Sequence, residues 1–540
     1  MTALLASALT SGALPAQDTL TNQAAYIPPQ CYTKTVDATG TVHNPCYACH
    51  TQGTAPNFVR DATLQQSYDF PEDARYNRWD NLFKDNSALR ETISDAQVLD
   101  YVRSSNYLAA DGTLLLRQRL DKEATIWDRD GNGRWDGYLP DAFFRFDDQG
   151  LDHSPDGRLT WWRAFVYYPF LGTFWPANGA TDDVLIRLPL AFRRTAQGQE
   201  DLGIYLLNLA ILEALIRTQD IPLLQPVDEQ SVGHDLDGDG QLGKATRIRY
   251  TGDAGTKMHY VGEAGRLQDQ GLVHAAAMLY PEGTEFLHSV RYLDVDQQGR
   301  VGMAARMKEL RYARKERYLT YAALRDLANQ DDSEKMRYPD RLETFYGDAE
   351  HGGQNGRGWV FQGFIEDAQG ALRPQDWEET VFCLGCHGGI GATTDASFAF
   401  PRKLRLGDAG WGHKVDFSGI PEPVRNDGHY EYTTYLQQNH AGDEFRENQE
   451  LIRRFFDEQG RWREEAGQRL HRDSGFALYP SAPRAFELNK AYWLLVRQQS
   501  FHRGRDPLLA PASEVYQKVD HRQPTGIDQP LANPGIRPGS

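Results

Sequence analysis

Thr160-Trp-Trp-Arg-Ala-Phe-Val-Tyr-Tyr168 and the later stretch Leu202-Gly-Ile-Tyr-Leu-Leu-Asn-Leu-Ala-Ile-Leu-Glu-Ala-Leu-Ile-Arg217 decide the fold class. The first is an aromatic, strand-length run, and Asp183–Leu188 (DVLIRL) repeats the strand pattern. The second puts Ile204, Leu207, Ile211, Ala214 and Leu215 on one helical face. Asn208 and Glu213 interrupt it, and it is too short to cross a bilayer. Strands beside a buried helix predict a mixed α and irregular (α+β) fold. A mean hydropathy of −0.62 adds a polar surface and many loops.

Outward from this centre, the chain has 540 residues, room for two or three domains. Residues 1–24 read as a leader or signal remnant. An N-terminal Cys-motif region spans 25–125, a central α+β region 126–330, and a C-terminal Cys-motif region 331–540. Further helices are expected over Arg300–Arg325, with Met303, Met307, Leu310 and Arg314 on one face, over Asp376–Phe382, and over Arg484–Arg497. Lys and Arg number 58 against 75 Asp and Glu, a net charge of −17, which disfavours nucleic acid as a partner. No apolar run reaches transmembrane length. Ser-His-Asp, P-loop and Rossmann glycine patterns are not found.

Four of the five cysteines form two copies of one pattern, Cys46-Tyr-Ala-Cys49-His50 and Cys383-Leu-Gly-Cys386-His387. With 5 Cys and 15 His in 540 residues, roughly 0.001 such matches arise by chance. A redox Cys-x-x-Cys pair would want a βαβ setting. A zinc site built from both pairs would leave the histidines unexplained. Cys-x-x-Cys-His is the attachment motif of c-type haem: two thiols add to the vinyl groups and the adjacent His ligates iron.

On these residues the chain resembles the c-type cytochromes, as a di-haem member. The resemblance implies two covalent haem c groups, thioether anchors Cys46, Cys49, Cys383 and Cys386, and proximal ligands His50 and His387. It also implies export, because bacterial c-type haem is attached outside the cytoplasmic membrane, giving a periplasmic or extracellular protein. Met1–Ala16 fits a leader but lacks a basic start. No cysteine stands near it in a lipidation pattern, so no lipid anchor is expected. Cys31 is left over as an inert thiol. Candidate distal iron ligands are His259, His288 and His413, with Met303 and Met307 as alternatives. The basic residues Arg300, Arg306, Lys308, Arg311, Arg314, Lys315 and Arg317 form a solvated helix face or meet haem propionates.

Two Asp-rich loops offer calcium ligands: Asp128, Asp130, Asn132 and Asp136 in one, Asp235, Asp237 and Asp239 in the other. The alternating spacing converges oxygens on a hard cation. Leu139 and Thr246 stand where an EF-hand has its bidentate Glu, so a simpler calcium loop is expected. The function expected from all this is exported electron transfer with redox partner proteins or a small-molecule electron donor or acceptor. A peroxidase-like di-haem oxidoreductase is the alternative, and a calcium-stiffened binding or scaffold protein the third reading.

Overall fold

The structure is a computed structural model and describes residues 27–36, 39–53, 55–59, 61–171, 184–252, 258–404, 410–413, 416–439, 449–531 and 535–537. The expected leader, 1–24, lies outside the described residues, as does Asp183.

Nine strands make the central sheet: β1 Leu151–His153, β2 Leu159–Phe165, β3 Val184–Arg187, β4 Glu285–Val295, β5 Val301–Lys315, β6 Tyr346–Asp348, β7 Gly352–Gln354, β8 Trp359–Glu366 and β9 Leu372–Pro374. They pair antiparallel in the order β6-β7-β8-β5-β4-β3-β2-β1, with β9 also on β8. The sheet therefore takes strands from both sides of residue 330. Period-2 alternation splits the side chains between two buried faces. Phe165, Val184, Ile186 and Phe286 meet the helix Leu202–Arg217 on one side. Ala164, Leu185, Leu287 and Met307 meet Tyr107, Leu116, Leu120 and Trp135 on the other.

The helices used below are α1 Cys46–Cys49, α2 Asp95–Arg103, α3 Leu202–Arg217, α4 Tyr321–Arg337, α5 Trp377–His387 and α6 Ala482–Gln498. Asp201 caps α3 by accepting the Ile204 N–H at 2.9 Å. Asp376 and Glu379 form a capping box at the start of α5, which runs without a break through its cysteines to Gly388. Ser481 caps α6, with Pro483 in its first turn.

The mixed α+β fold appears, with strands Leu159–Phe165 and Val184–Arg187 where strands were expected and helices at 202–217, 376–382 and 484–497, α5 running five residues longer than expected (Phe382 to His387). The helix expected over Arg300–Arg325 does not. Most of that stretch is β5, paired with β4 and β8. Register shifts between Met303 and Met307 and between Met307 and Glu309 break the strand's alternation, so Met307 and Leu310 fall in one core at a helix-like spacing. The basic residues divide accordingly, with Arg300, Arg314 and Arg317 exposed. Arg306, Lys308 and Lys315 are buried, and Arg306 and Lys315 pair with Glu366 and Asp395.

Candidate functional site

The first Cys-x-x-Cys-His segment is built around Asn44, fully buried. Its Nδ2 donates to the Cys31 and Thr33 carbonyls, both at 2.8 Å. Its Oδ1 accepts the Cys46 N–H at 2.8 Å and the Cys46 thiol at 2.6 Å. The short helix α1 then carries Cys49, and His50 follows with Nδ1 3.2 Å from Asp61 Oδ2. Burial works to raise Asp61, but His50 and Lys335 outweigh it and hold the carboxyl at about 2.

The second segment is the C-terminal half of α5, and the fold brings the two together. The Cys49 carbonyl accepts the Ala392 N–H at 2.9 Å. Asn57 Nδ2 donates to Thr393 O at 2.9 Å and also to Ile390 O. Gly391 lies so close to the Thr51 carbonyl that a Cβ there would collide with it. Cys49, Cys383, Cys386, His387, His288 and Arg311 line one cavity of about 220 Å³, walled mainly by apolar surface including Phe286 and Trp359.

Burial raises the Cys49 thiol to about 11 and the Cys386 thiol to about 12, so both stay protonated at neutral pH. That is the reverse of the low-pKa thiolate a redox Cys-x-x-Cys pair uses. His387 donates from Nδ1 to the Ala396 carbonyl at 2.8 Å, and its ring packs on Phe361 and Phe398. Burial, with Arg311 nearby, pulls His387 down to about 4, which keeps the imidazole neutral and leaves Nε2 as its lone-pair nitrogen. A neutral imidazole fixed through Nδ1 by a carbonyl is the arrangement a metal-ligating His needs.

Of the three distal candidates, His288 lies in the cavity wall on β4, in register with Val184 on one side and Arg311 on the other. Burial brings it to about 3, so it too is neutral. The other two stand outside that cavity's lining. His259 stacks on His234 at 4.1 Å, and its ring nitrogens meet Tyr260 O and Asp269. His413 packs against Phe146 at 4.5 Å, outside the cavity lining. Met307 is in the sheet core instead. Cys31 carries its carbonyl on Asn44, and burial raises its thiol, consistent with inert packing.

Each Asp-rich loop folds back on its first aspartate. Asp128 accepts the N–H groups of Gly131, Asn132 and Gly133, and Asp235 those of Gly238, Asp239 and Gly240. The fold adds a carboxylate neighbour that loop spacing missed. Carboxylate oxygens of Asp128, Asp130 and Glu350 lie within 4.8 Å of one another, as do those of Glu229, Asp235 and Asp237. Glu350 and Glu229 are buried to 0% and 1% exposure. Asp237 Oδ1 is buried with no hydrogen-bond partner. Asn132, Asp136 and Asp239 stay outside these triplets and bond within their own loops. Glu229 stands six residues before Asp235 and was within reach of a sequence reading; nothing local points from the first loop to Glu350.

A family model described as a "-like lipoprotein" matches residues 15–471. An "Uncharacterized lipoprotein" from Aquifex aeolicus (strain VF5) is 29% identical over 585 aligned positions, covering 97% of this chain and 94% of that one. No solved structure matches. These findings overturn the expected placement among di-haem c-type cytochromes: the resemblance is confined to two short motifs, while the match running along the chain is to lipoproteins. The electron-transfer and peroxidase-like functions drawn from that placement fall with it, and neither comparison indicates the scaffold reading that rested on the Asp-rich loops. The expected export agrees with a family described as lipoproteins, a description that runs against the expectation of no lipid anchor. Among the described residues no helix is long and apolar enough to cross a membrane. With a match over most of its length, the chain belongs to this lipoprotein family.

Proposed function

We propose that this lipoprotein, tethered outside the cytoplasmic membrane, carries covalently attached haem at the junction of its two Cys-x-x-Cys-His segments, and binds Ca2+ at its two Asp-rich loops. The observation that carries the haem reading is His387: neutral, held through Nδ1 by Ala396 O, and set beside two protonated thiols in an apolar cavity. The donor set fits the group. Cys46, Cys49, Cys383 and Cys386 would form the thioethers, and His50 and His387 would face the iron. His288 is the remaining neutral imidazole of the cavity wall, and Arg311 its cation. Haem held by these residues would supply an iron centre ligated by imidazole. Electron carriage and peroxide turnover form no part of the proposal.

Support for the cations is chemical. All the candidate ligands are hard oxygens, and a buried glutamate joins the aspartates of each loop. The orphaned Asp237 Oδ1 fits a ligand awaiting a partner.

The haem proposal is tested by the denatured mass of protein exported from cells competent in haem attachment. The chain mass should rise by two haems, and a haem stain should survive denaturing electrophoresis. Replacing Cys383 and Cys386 by Ala should remove one group, and replacing Cys46 and Cys49 the other. A mass equal to the processed chain alone sinks the proposal.

A further inference from the structure

We infer that Lys315 and Asp395 are positioning residues: their buried ion pair holds a strained two-residue turn whose carbonyl fixes the ring of His387. Thr394 and Ser397 close that turn with paired backbone hydrogen bonds of 2.9 and 3.0 Å. Its central residues, Asp395 and Ala396, have φ of +46° and +61°. Two successive left-handed residues suit Asn-Gly. Aspartate tolerates that region, but alanine has a Cβ to clash and no side chain to compensate. Left to itself the turn would relax.

The restraint comes from the sheet. Lys315, the last residue of β5, is 0% exposed, and its Nζ donates to Asp395 Oδ1 at 2.6 Å. Asp395 Oδ2 accepts the Tyr280 N–H at 3.0 Å. Both carboxylate oxygens are engaged. Lys315 also reaches Arg357 O at 3.3 Å and lies over the Trp359 ring. Ala396 O, the next carbonyl along, accepts Nδ1–H of His387 at 2.8 Å. A buried ion pair is a weak source of net stability, because desolvation offsets the attraction. What this one does is select a single geometry. Lys315 pins Asp395, Asp395 holds Ala396 in the left-handed region, and Ala396 O directs the His387 proton to Nδ1. Only the use made of the free Nε2 rests on the haem proposal.

The test uses full-length protein labelled with 15N-histidine. It reads solvent exchange of the His387 Nδ1–H, assigned by its loss in His387→Gln. Exchange should be slow in the wild type and at least tenfold faster in Lys315→Met. In Lys315→Met/Ala396→Gly it should be slow again, because glycine takes the left-handed region without a restraint. If circular dichroism shows Lys315→Met unfolded, Asp395→Asn, which keeps the shape and drops the charge, replaces it in both comparisons. Fast exchange in the wild type overturns the inference. So does unchanged exchange in a folded charge variant, and so does failure of Ala396→Gly to restore it. The mass of the same wild-type sample separates the two proposals. A bare chain with slow exchange defeats the haem proposal alone, and a haem-loaded chain with fast exchange defeats this one alone.

Discussion

Single residues of β5 show how much charge this fold buries on purpose. Glu309 is 2% exposed, 2.8 Å from Arg311 Nε and 3.2 Å from Arg505 Nη1. Burial alone would raise its carboxyl, but the two guanidiniums hold it at about 2. The unfolded chain restores it to about 4.3, so the unfolded state binds more protons between these values. The stabilisation is therefore fully present above about pH 4.3 and is lost as pH falls through about 2. Glu309→Gln should cost about 3 kcal/mol at pH 7 by leaving two buried cations facing a neutral amide. Urea unfolding between pH 2 and 7 should show that difference shrinking at the acid end. A constant difference across the range would mean that packing, not charge, is what the variant loses.

At the scale of elements, α3 and β5 teach opposite lessons. The bounds of α3 were legible because an apolar face recurs at helical spacing along the segment, and the Asp201 cap and buried packing of the fold agree with it. Its two polar interruptions had no visible reason in the sequence. In the fold Asn208 donates to Phe192 O and Val261 O and accepts the Val261 N–H at 2.9 Å. Glu213 pairs with Lys403 at 3.0 Å and Arg217 at 3.1 Å. Asn208→Leu strands three buried backbone groups and should lower stability by about 3 kcal/mol by thermal unfolding. A loss under about 1 kcal/mol would show that the neighbouring segments re-satisfy themselves. The β5 stretch misled for a local reason. A β-bulge shifts parity within the strand, and both faces are buried, so neither the period nor the polarity of one face marked it as a strand.

At the scale of the whole molecule, the Asp-rich loops tie distant segments. Glu350 reaches the first loop through the N–H groups of Arg129 and Asp136. Glu229 reaches the second through those of Leu236 and Gly243. Cations bound there would stabilise only the folded chain, by about 2.7 kcal/mol at a hundredfold excess over Kd. A chelator should lower the melting temperature of the wild type. Glu350→Gln and Glu229→Gln should each melt lower from the start and respond less to the chelator. An unaltered wild-type melt, with no calcium in the purified protein, would reduce both loops to plain turns.

By itself the sequence determined the α+β class, the strands and helix of the central stretch, the helix leading into Cys383, and both Cys-x-x-Cys-His segments. All of these rest on spacing within a few residues, where local sterics and hydrogen bonding dominate. Tertiary structure alone decided that the two segments share one junction, with Ala392 bonded to Cys49 although a long stretch of chain separates them. It also decided which histidines face the cavity, that Arg306 and Lys315 of β5 are buried in ion pairs, and that Glu350 reaches a loop more than two hundred residues earlier. Such choices depend on which chain segments the sheet brings together. That is set by the burial of two whole sheet faces at once, and no local pattern encodes it.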